Sequence, residues 1–179
     1  RSPIHQYTDK LGAVYGEVNG WERPNWYARD GVKRDYEYSY GRQNWFPCAQ
    51  YEADRLKNDV VFFDQASFAK YHVEGKDALP VLNQVSANNV DVPEGKIVYT
   101  QWLNERGGIE ADLTVTRLGE QKFLVVTGAV PQTRDMAWLK RQTGDKNCVT
   151  VDVTSGLPMI AIMGPKSRAL LEKVSGADL

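Results

Sequence analysis

The clearest pattern along the chain is a period of two that runs over residues 109–116. Apolar residues on one side alternate with polar residues on the other: Ile109, Ala111, Leu113 and Val115 against Glu110, Asp112, Thr114 and Thr116. This alternation is typical of a strand with one buried face. The preceding Asn104-Glu-Arg-Gly-Gly108 has turn chemistry, because glycine adopts positive φ angles without steric cost. We therefore predict an antiparallel hairpin, which Phe123-Leu-Val-Val-Thr127 extends to a three-stranded meander.

A second pattern, an apolar strand followed by glycine and a helix, occurs twice. Gly75 and Gly164 align without a gap, and the positions that then coincide are Leu82 with Leu171, Val85 with Val174 and Ser86 with Ser175. This echo predicts an α+β fold with a mostly antiparallel sheet, flanking helices and pseudo-duplicated strand–helix units. A chance match stays open as the alternative, because glycine before a Leu- and Val-rich helix is common.

Weaker patterns predict the remaining elements. The spacing near Tyr51 predicts a helix that ends at Asn58-Asp59, and the apolar run over residues 60–63 predicts a buried strand. A helix is expected over residues 131–141, with proline in its first turn, and a strand over residues 147–153. Residues 1–50 are aromatic and turn-rich, and we interpret them as an arm that lies across another surface. The domain itself is then predicted over residues 51–179.

Composition narrows the class of protein. The chain has 179 residues, 42% of them hydrophobic, which suffices for one domain with or without an extension. Its net charge of −1 and its scattered basic residues argue against nucleic-acid and membrane-surface binding. No segment has the apolar length of a membrane span or the pattern of a signal peptide. The missing initial methionine suggests a processed or excised fragment.

Metal and nucleotide sites are not predicted. Cys48 and Cys148 are isolated thiols, which favours a reduced compartment over a disulfide framework. His5 and His72 are remote from each other and from any clustered cysteines, so we expect no zinc site. The sequence contains neither the glycine-rich signature of dinucleotide folds nor that of P-loops.

Asp112 is the first candidate functional residue, because its carboxylate is expected on a strand face rather than in a loop. Two interpretations stay open: a solvated residue on the wet face of a sheet, or one wall of a ligand site. In the second, Thr114 and Thr116 add hydroxyls from the same strand. Thr100 and Trp102, on the neighbouring strand, add a hydroxyl and a stacking surface. Spacing alone names no reaction, since no second catalytic group lies nearby in the sequence.

Five segments, in order, resemble the T-protein-like, folate-binding (aminomethyltransferase) region of the sarcosine and dimethylglycine dehydrogenase family. Residues 20–27 resemble the segment that joins the flavin part to the folate part. Residues 63–71 resemble the motif D-x-S-x-F-x-K, and residues 73–78 resemble G-x-D-A. Residues 99–117 are similar to Y-T-x-x-L-N-x-x-G-G-x-x-x-D-L-T-V, and residues 162–168 resemble G-P-x-S-R. Together these segments span nearly the whole length of the chain.

The resemblance implies a division of labour. A flavin domain that binds FAD, upstream of this chain, oxidises an N-methyl amine, and the T-protein-like domain passes the carbon to tetrahydrofolate, giving 5,10-methylenetetrahydrofolate. Asp112 matches the family's key acidic residue facing the folate and is the candidate catalytic residue. Tyr99 and Thr100 match residues near the pterin, and Thr127, which stands where T-proteins often carry Asn, is with Asp112 a further candidate folate-binding residue. A further acidic residue that grips the pterin would lie beyond Leu179, so the chain alone is expected to be inactive.

The sequence supports three functional hypotheses. The first is the folate-side part of a flavin-dependent sarcosine or dimethylglycine dehydrogenase, in the bacterial cytoplasm or the mitochondrial matrix. The second is a non-catalytic regulatory or interaction module on the same scaffold, like the regulatory subunit of pyruvate dehydrogenase phosphatase. The third is a stand-alone aminomethyltransferase that acts with a lipoyl carrier, and the aromatic arm before Tyr51 argues against it. The presence of Asp112 does not distinguish the first two hypotheses, because a non-catalytic domain on the same scaffold can retain this aspartate.

Overall fold

Two compact units make up the structure, a computed structural model that describes residues 1–29 and 31–179. One unit contains residues 1–66 and 158–179, and the other contains residues 67–157. The described helices are α1 (His5–Lys10), α2 (Phe46–Asn58), α3 (Ala78–Val85), α4 (Gln132–Thr143) and α5 (Ser167–Ser175). The strands are β1 (Ala13–Val18), β2 (Trp21–Tyr27), β3 (Val61–Asp64), β4 (Ala69–Glu74), β5 (Ile97–Leu103), β6 (Ile109–Gly119), β7 (Lys122–Thr127), β8 (Val149–Asp152) and β9 (Ile160–Met163). Helices with antiparallel sheets confirm the predicted α+β class.

The unit of residues 67–157 is built on a five-stranded antiparallel sheet in the order β5-β6-β7-β4-β8. The predicted meander is therefore confirmed as β5-β6-β7. Ala111, Leu113 and Val115 face the core as the alternation predicted, whereas Ile109, at the turn, is 68% exposed. Side chains of α3 and α4 complete this core, among them Leu82. Burying the apolar face of the sheet under two helices supplies most of the driving force for folding this unit.

Residues 13–27 of the other unit form a β1–β2 hairpin, which the hydrophobic pattern did not predict. Its turn consists of Asn19 and Gly20, both with positive φ angles. Asn-Gly between two strands is a strong hairpin signal, and the aromatic composition of the segment obscured it. Val14 and Trp26 pack with Cys48 of α2 in a small core. The proposed arm boundary at residue 50 stays a prediction, and residue 30 within the arm lies outside the described residues.

The strand predicted over residues 60–63 is found as β3, but its predicted burial is wrong. Phe62 is 46% exposed and Phe63 is 39% exposed. β3 pairs with β9 in a two-stranded sheet, and the described residues do not cover both faces of so narrow a sheet. An apolar run specifies a strand, whereas its burial depends on what packs against it.

The internal echo is confirmed at the level of individual hydrogen bonds. Gly75 and Gly164 have φ angles of 136° and 126°, and each is followed by a helix. Two residues after each glycine, a backbone N–H donates at 3.2 Å to a carbonyl: Asp77 to Asn147, and Lys166 to Asp59. A Cβ on either glycine would overlap that same carbonyl oxygen. The repeated unit is thus helix–strand–strand–glycine–helix, and chance does not account for it.

The two copies of the repeat exchange strands. One copy consists of α2, β3, β4 and α3, and the other of α4, β8, β9 and α5. β3 pairs with β9 and β4 pairs with β8, so each pair contains one strand from each copy. Equivalent bonds extend both pairs, from the Val153 N–H to the Lys70 carbonyl at 2.9 Å and from the Gln65 N–H to the Met159 carbonyl at 3.0 Å.

Candidate functional site

The β5–β6 hairpin positions Asp112. Gln101 lies directly opposite Asp112, and Tyr99 lies opposite Thr114. The register then shifts, because Trp102 pairs with Ala111 while Leu103 pairs with Ile109. Residue 110 is therefore the extra residue of a β-bulge, one pair beyond Gln101 and Asp112. Bulges of this kind bend a strand and re-aim the side chains beside them.

Two side chains hold the bulge in place. The Asn104 Nδ2 donates to the Glu110 Oε1 at 2.9 Å. The Arg134 Nη2, on α4, donates to the Glu110 carbonyl at 2.6 Å. Asn104 also orders the turn, since its Oδ1 accepts the Gly108 N–H at 2.9 Å. The conformation that presents Asp112 is thus fixed by the turn on one side and by a helix on the other.

Asp112 is exposed and receives two side-chain hydrogen bonds. The Tyr99 hydroxyl donates to its carboxylate, and the Gln101 Nε2 donates to Oδ1 at 2.9 Å. These two donors, first Tyr99 and then Gln101, hold the pKa of Asp112 below its ordinary value. The same bond raises the pKa of Tyr99. The site therefore presents a carboxylate that is ionised at neutral pH, beside a tyrosine ring that is 60% exposed.

The other two predicted folate-binding residues lie on the opposite face of the sheet. Thr100 is buried, and its Oγ1 accepts the Asn88 N–H at 3.0 Å. Thr127 is buried, and its Oγ1 donates to the Asp135 Oδ2 at 2.8 Å. The structure thus brings Tyr99 and Asp112 together but does not bring Thr100 or Thr127 to them. The contacts of all four with folate stay predictions.

The expectation that Thr100 and Trp102 line the face of Asp112 is wrong. Both side chains point into the core, because residues that alternate with Tyr99 and Gln101 along β5 face the other side. The Trp102 ring stacks on Trp138 at 5.4 Å between centroids. The aromatic surface beside Asp112 is instead Tyr99, while Thr114 and Thr116 lie on its face as expected.

Sequence reasoning missed two residues of this site. Gln101 was not identifiable, because counting back across the Asn104–Gly108 turn without the bulge places it opposite Ala111 rather than Asp112. Arg134 left no local signal, since it reaches the bulge from α4. Among residues 1–29 and 31–179, no group of three or more His, Cys, Asp or Glu side chains could hold a metal ion. No helix in that part of the chain is long and apolar enough to cross a membrane.

Comparison with known proteins decides the family. Residues 4–179 match the model of the GCVT N-terminal domain. The chain belongs to this family. Its fold is similar to that of part of the glycine cleavage system aminomethyltransferase T from Bartonella henselae, with a TM-score of 0.79 and 25% sequence identity over 97% of this chain and 43% of that one. The predicted resemblance to the T-protein-like region is confirmed.

Curated relatives of this GCVT N-terminal domain include oxidases and dehydrogenases of N-methyl amino acids. The chain is 47% identical to 4-methylaminobutanoate oxidase (formaldehyde-forming) of Paenarthrobacter nicotinovorans, over 99% of this chain and 22% of that protein. It is 32% identical to human mitochondrial sarcosine dehydrogenase, over 100% of this chain and 24% of that protein. It is also 30% identical to the mouse mitochondrial pyruvate dehydrogenase phosphatase regulatory subunit over 99% and 21%. The domain thus spans less than a quarter of each of these relatives.

Replacing Tyr99 with phenylalanine is expected to raise the pKa of Asp112 toward its ordinary value. The substitution keeps the ring and removes the donor that lowers this pKa most. Because the folded-state pKa lies below the unfolded value, the carboxylate stabilises the fold at neutral pH, and this contribution disappears as the pH falls through the folded-state pKa. The variant should lose it at a higher pH than the parent does. Carboxyl ¹³C NMR titration of aspartate measures the shift, and Tyr40→Phe, at an exposed position elsewhere, should leave the Asp112 titration unchanged.

Proposed function

We propose that this GCVT N-terminal domain is the folate-side part of a flavin-dependent dehydrogenase or oxidase that acts on an N-methyl amine. The observation that carries the proposal is Asp112, an ionised carboxylate on an open sheet face, oriented by Gln101 and Tyr99. The exposed Tyr99 ring beside it offers a flat surface of the kind on which a pterin ring can stack. Family membership supports the assignment of folate rather than another planar ligand.

Asp112 suits the chemistry of one-carbon transfer. A tetrahydrofolate amine attacks the carbon of an iminium and forms the first C–N bond to folate. The bond from that carbon to the original amine nitrogen then breaks as the second folate nitrogen bonds to the carbon; one folate N–H proton passes to the departing demethylated amine and the other is released to solvent. Positive charge is present throughout, and a fixed anion stabilises it. Because its pKa is lowered, Asp112 is better suited to stabilise positive charge and to orient the folate N–H than to accept a proton as a general base.

The flavin chemistry belongs outside this domain. FAD, held by a domain upstream in the same polypeptide, would supply the oxidation of the amine to the iminium. We propose an N-methyl amino acid as the substrate, the class named in sarcosine and dimethylglycine dehydrogenases and in 4-methylaminobutanoate oxidase. The product of the whole reaction would be 5,10-methylenetetrahydrofolate.

The distribution of the released carbon tests this function in the intact flavoprotein. The N-methyl amines named above are oxidised with and without saturating tetrahydrofolate, and formaldehyde and 5,10-methylenetetrahydrofolate are both quantified. We expect folate to divert most of the carbon away from formaldehyde. Formaldehyde as the sole product at saturating folate would contradict the transfer step. This outcome has to be tested because the P. nicotinovorans relative is named as a formaldehyde-forming oxidase.

Calorimetric titration of 5-formyltetrahydrofolate into the same protein provides a reading that does not depend on turnover. Binding to the folded protein supports a folate site. A protein that neither oxidises N-methyl amines nor binds this analogue would instead fit the non-catalytic module, which the regulatory-subunit relative represents.

A further inference from the structure

A polar relay joins the buried end of β7 to the bulge beside Asp112. The Thr127 Oγ1 donates to the Asp135 Oδ2 at 2.8 Å. The Asp135 Oδ1 accepts from the Arg134 Nε at 3.2 Å and from its Nη2 at 3.1 Å. That same Nη2 donates to the Glu110 carbonyl at 2.6 Å. The relay thus runs from Thr127 through Asp135 and Arg134 to the bulge.

Burial explains why the relay holds Arg134 in one conformation. Asp135 is 1% exposed, so its charge is stabilised only through its partners. Arg134 is largely exposed and, by itself, would sample many rotamers. The forked bond from Nε and Nη2 to one buried carboxylate oxygen removes that freedom. Thr127 in turn satisfies the second oxygen of Asp135, which fixes the plane of the carboxylate.

The bulge at residue 110 connects the fixed Arg134 side chain to the site of Asp112. A bulge disrupts the local ladder of backbone hydrogen bonds, and Arg134 gives the Glu110 carbonyl a charged donor there. Asp112 is two residues further along β6, and its pair with Gln101 is the second regular pair after the bulge, next to Trp102–Ala111. A change in the backbone at residue 110 would therefore rotate Asp112 away from Gln101.

We propose that Arg134, held by Asp135 and Thr127, is a positioning residue that fixes the Glu110 bulge and thereby aims Asp112 at the folate amine. The aim at folate rests on the proposed function, whereas the control of the bulge does not. Thr127 then serves the site from the buried face of the sheet, through Asp135, and needs no contact with the ligand.

Hydrogen–deuterium exchange of the intact protein tests the control of the bulge. In Arg134→Gln and Thr127→Val, backbone amides of residues 109–113 should exchange about five to ten times faster, which corresponds to one lost hydrogen bond. Thr127→Ser keeps the hydroxyl and should behave as the parent does. Arg141→Gln removes another exposed arginine of the same helix and should have no effect. Amides of β4 report on general stability and should exchange as in the parent in all four variants.

Two exchange results would overturn the proposal: unchanged exchange at residues 109–113 in both Arg134→Gln and Thr127→Val, or an increase there that β4 shares equally. The dissociation constant of 5-formyltetrahydrofolate is the second reading, and it should rise several-fold in these two variants only. If the parent protein binds no folate, the proposed function fails, and exchange still decides whether Arg134 controls the bulge. Faster exchange with unchanged folate affinity would overturn the aiming of Asp112.

Discussion

Replacing Asp112 with asparagine in the intact protein should stop carbon transfer while amine oxidation continues. Formation of 5,10-methylenetetrahydrofolate is expected to fall about a hundredfold, the usual effect of removing one preorganised charge or donor from a transition state. Asparagine has the size of aspartate and can still bond to Gln101, so the β5–β6 hairpin should keep its conformation. The loss would therefore report the missing charge. Flavin reduction by the amine should change by less than about twofold, because that chemistry does not use Asp112.

Stopped-flow flavin absorbance and product quantification measure the two half-reactions separately. The matched control is Asp145→Asn, which removes an exposed carboxylate from the loop after α4. Formaldehyde should accumulate in Asp112→Asn and not in Asp145→Asn. Normal folate product in Asp112→Asn would remove this residue from the transfer step. A parallel loss of flavin reduction would instead point to general damage to the fold.

The second large effect is expected on stability, at the repeated glycine. Gly75→Ala should destabilise the unit of residues 67–157 by about 3 kcal/mol or more, because two costs combine. A side chain at a φ of 136° is strained, and its Cβ would overlap the Asn147 carbonyl oxygen and crowd the Cα of Cys148. Relief would require β4 and β8 to separate, which would also break the Asp77–Asn147 bond.

Gly95→Ala is the matched control for this prediction. Gly95 also has a positive φ, 81°, but a Cβ there would meet no described atom within 4 Å. Gly95→Ala should lower the free energy of unfolding by about 1 kcal/mol, from backbone strain alone. Exchange of β4 amides, read as opening free energies, measures both variants. Gly164→Ala should cause a similarly large destabilisation, read from the exchange of β9 amides. Equal destabilisation by Gly75→Ala and Gly95→Ala would contradict the steric argument.

Local patterns predicted the parts of this fold that depend on local physics. Period-two alternation with a glycine turn specified the β5–β6 hairpin, and it placed Asp112 on the polar face. The strand–glycine–helix echo was visible because only glycine satisfies both the φ angle and the close approach at residues 75 and 164. Conversely, the exposure of Phe62 was not predictable, since hydrophobicity in the sequence does not say which other residues cover a strand.

The site was less predictable because its members come from different distances along the chain. Alternation alone separates Tyr99 from Thr100, whereas the family resemblance grouped them as neighbours of one ligand. A regular ladder counted back from the turn would place Gln101 opposite Ala111, and only the bulge at residue 110 brings it opposite Asp112. Arg134 requires the full tertiary packing of α4 against the sheet. Asp112 and Tyr99 could be identified from the sequence, whereas Gln101, which donates to Asp112, and Arg134, which holds the bulge, could not.

The exchange of strands between the two repeats has a consequence for synthesis of the protein. Residues 67–157 form a continuous unit, which can fold as soon as it leaves the ribosome. β3 leaves earlier, yet its partner β9 is translated only after that whole unit, because Val61 pairs with Met163. Throughout this interval Phe62 and Phe63 lie on an unpaired strand, which is the kind of edge that chaperones recognise and that drives self-association. Misassembly of the nascent chain should therefore begin at β3, far in sequence from Asp112 and the β5–β6 hairpin.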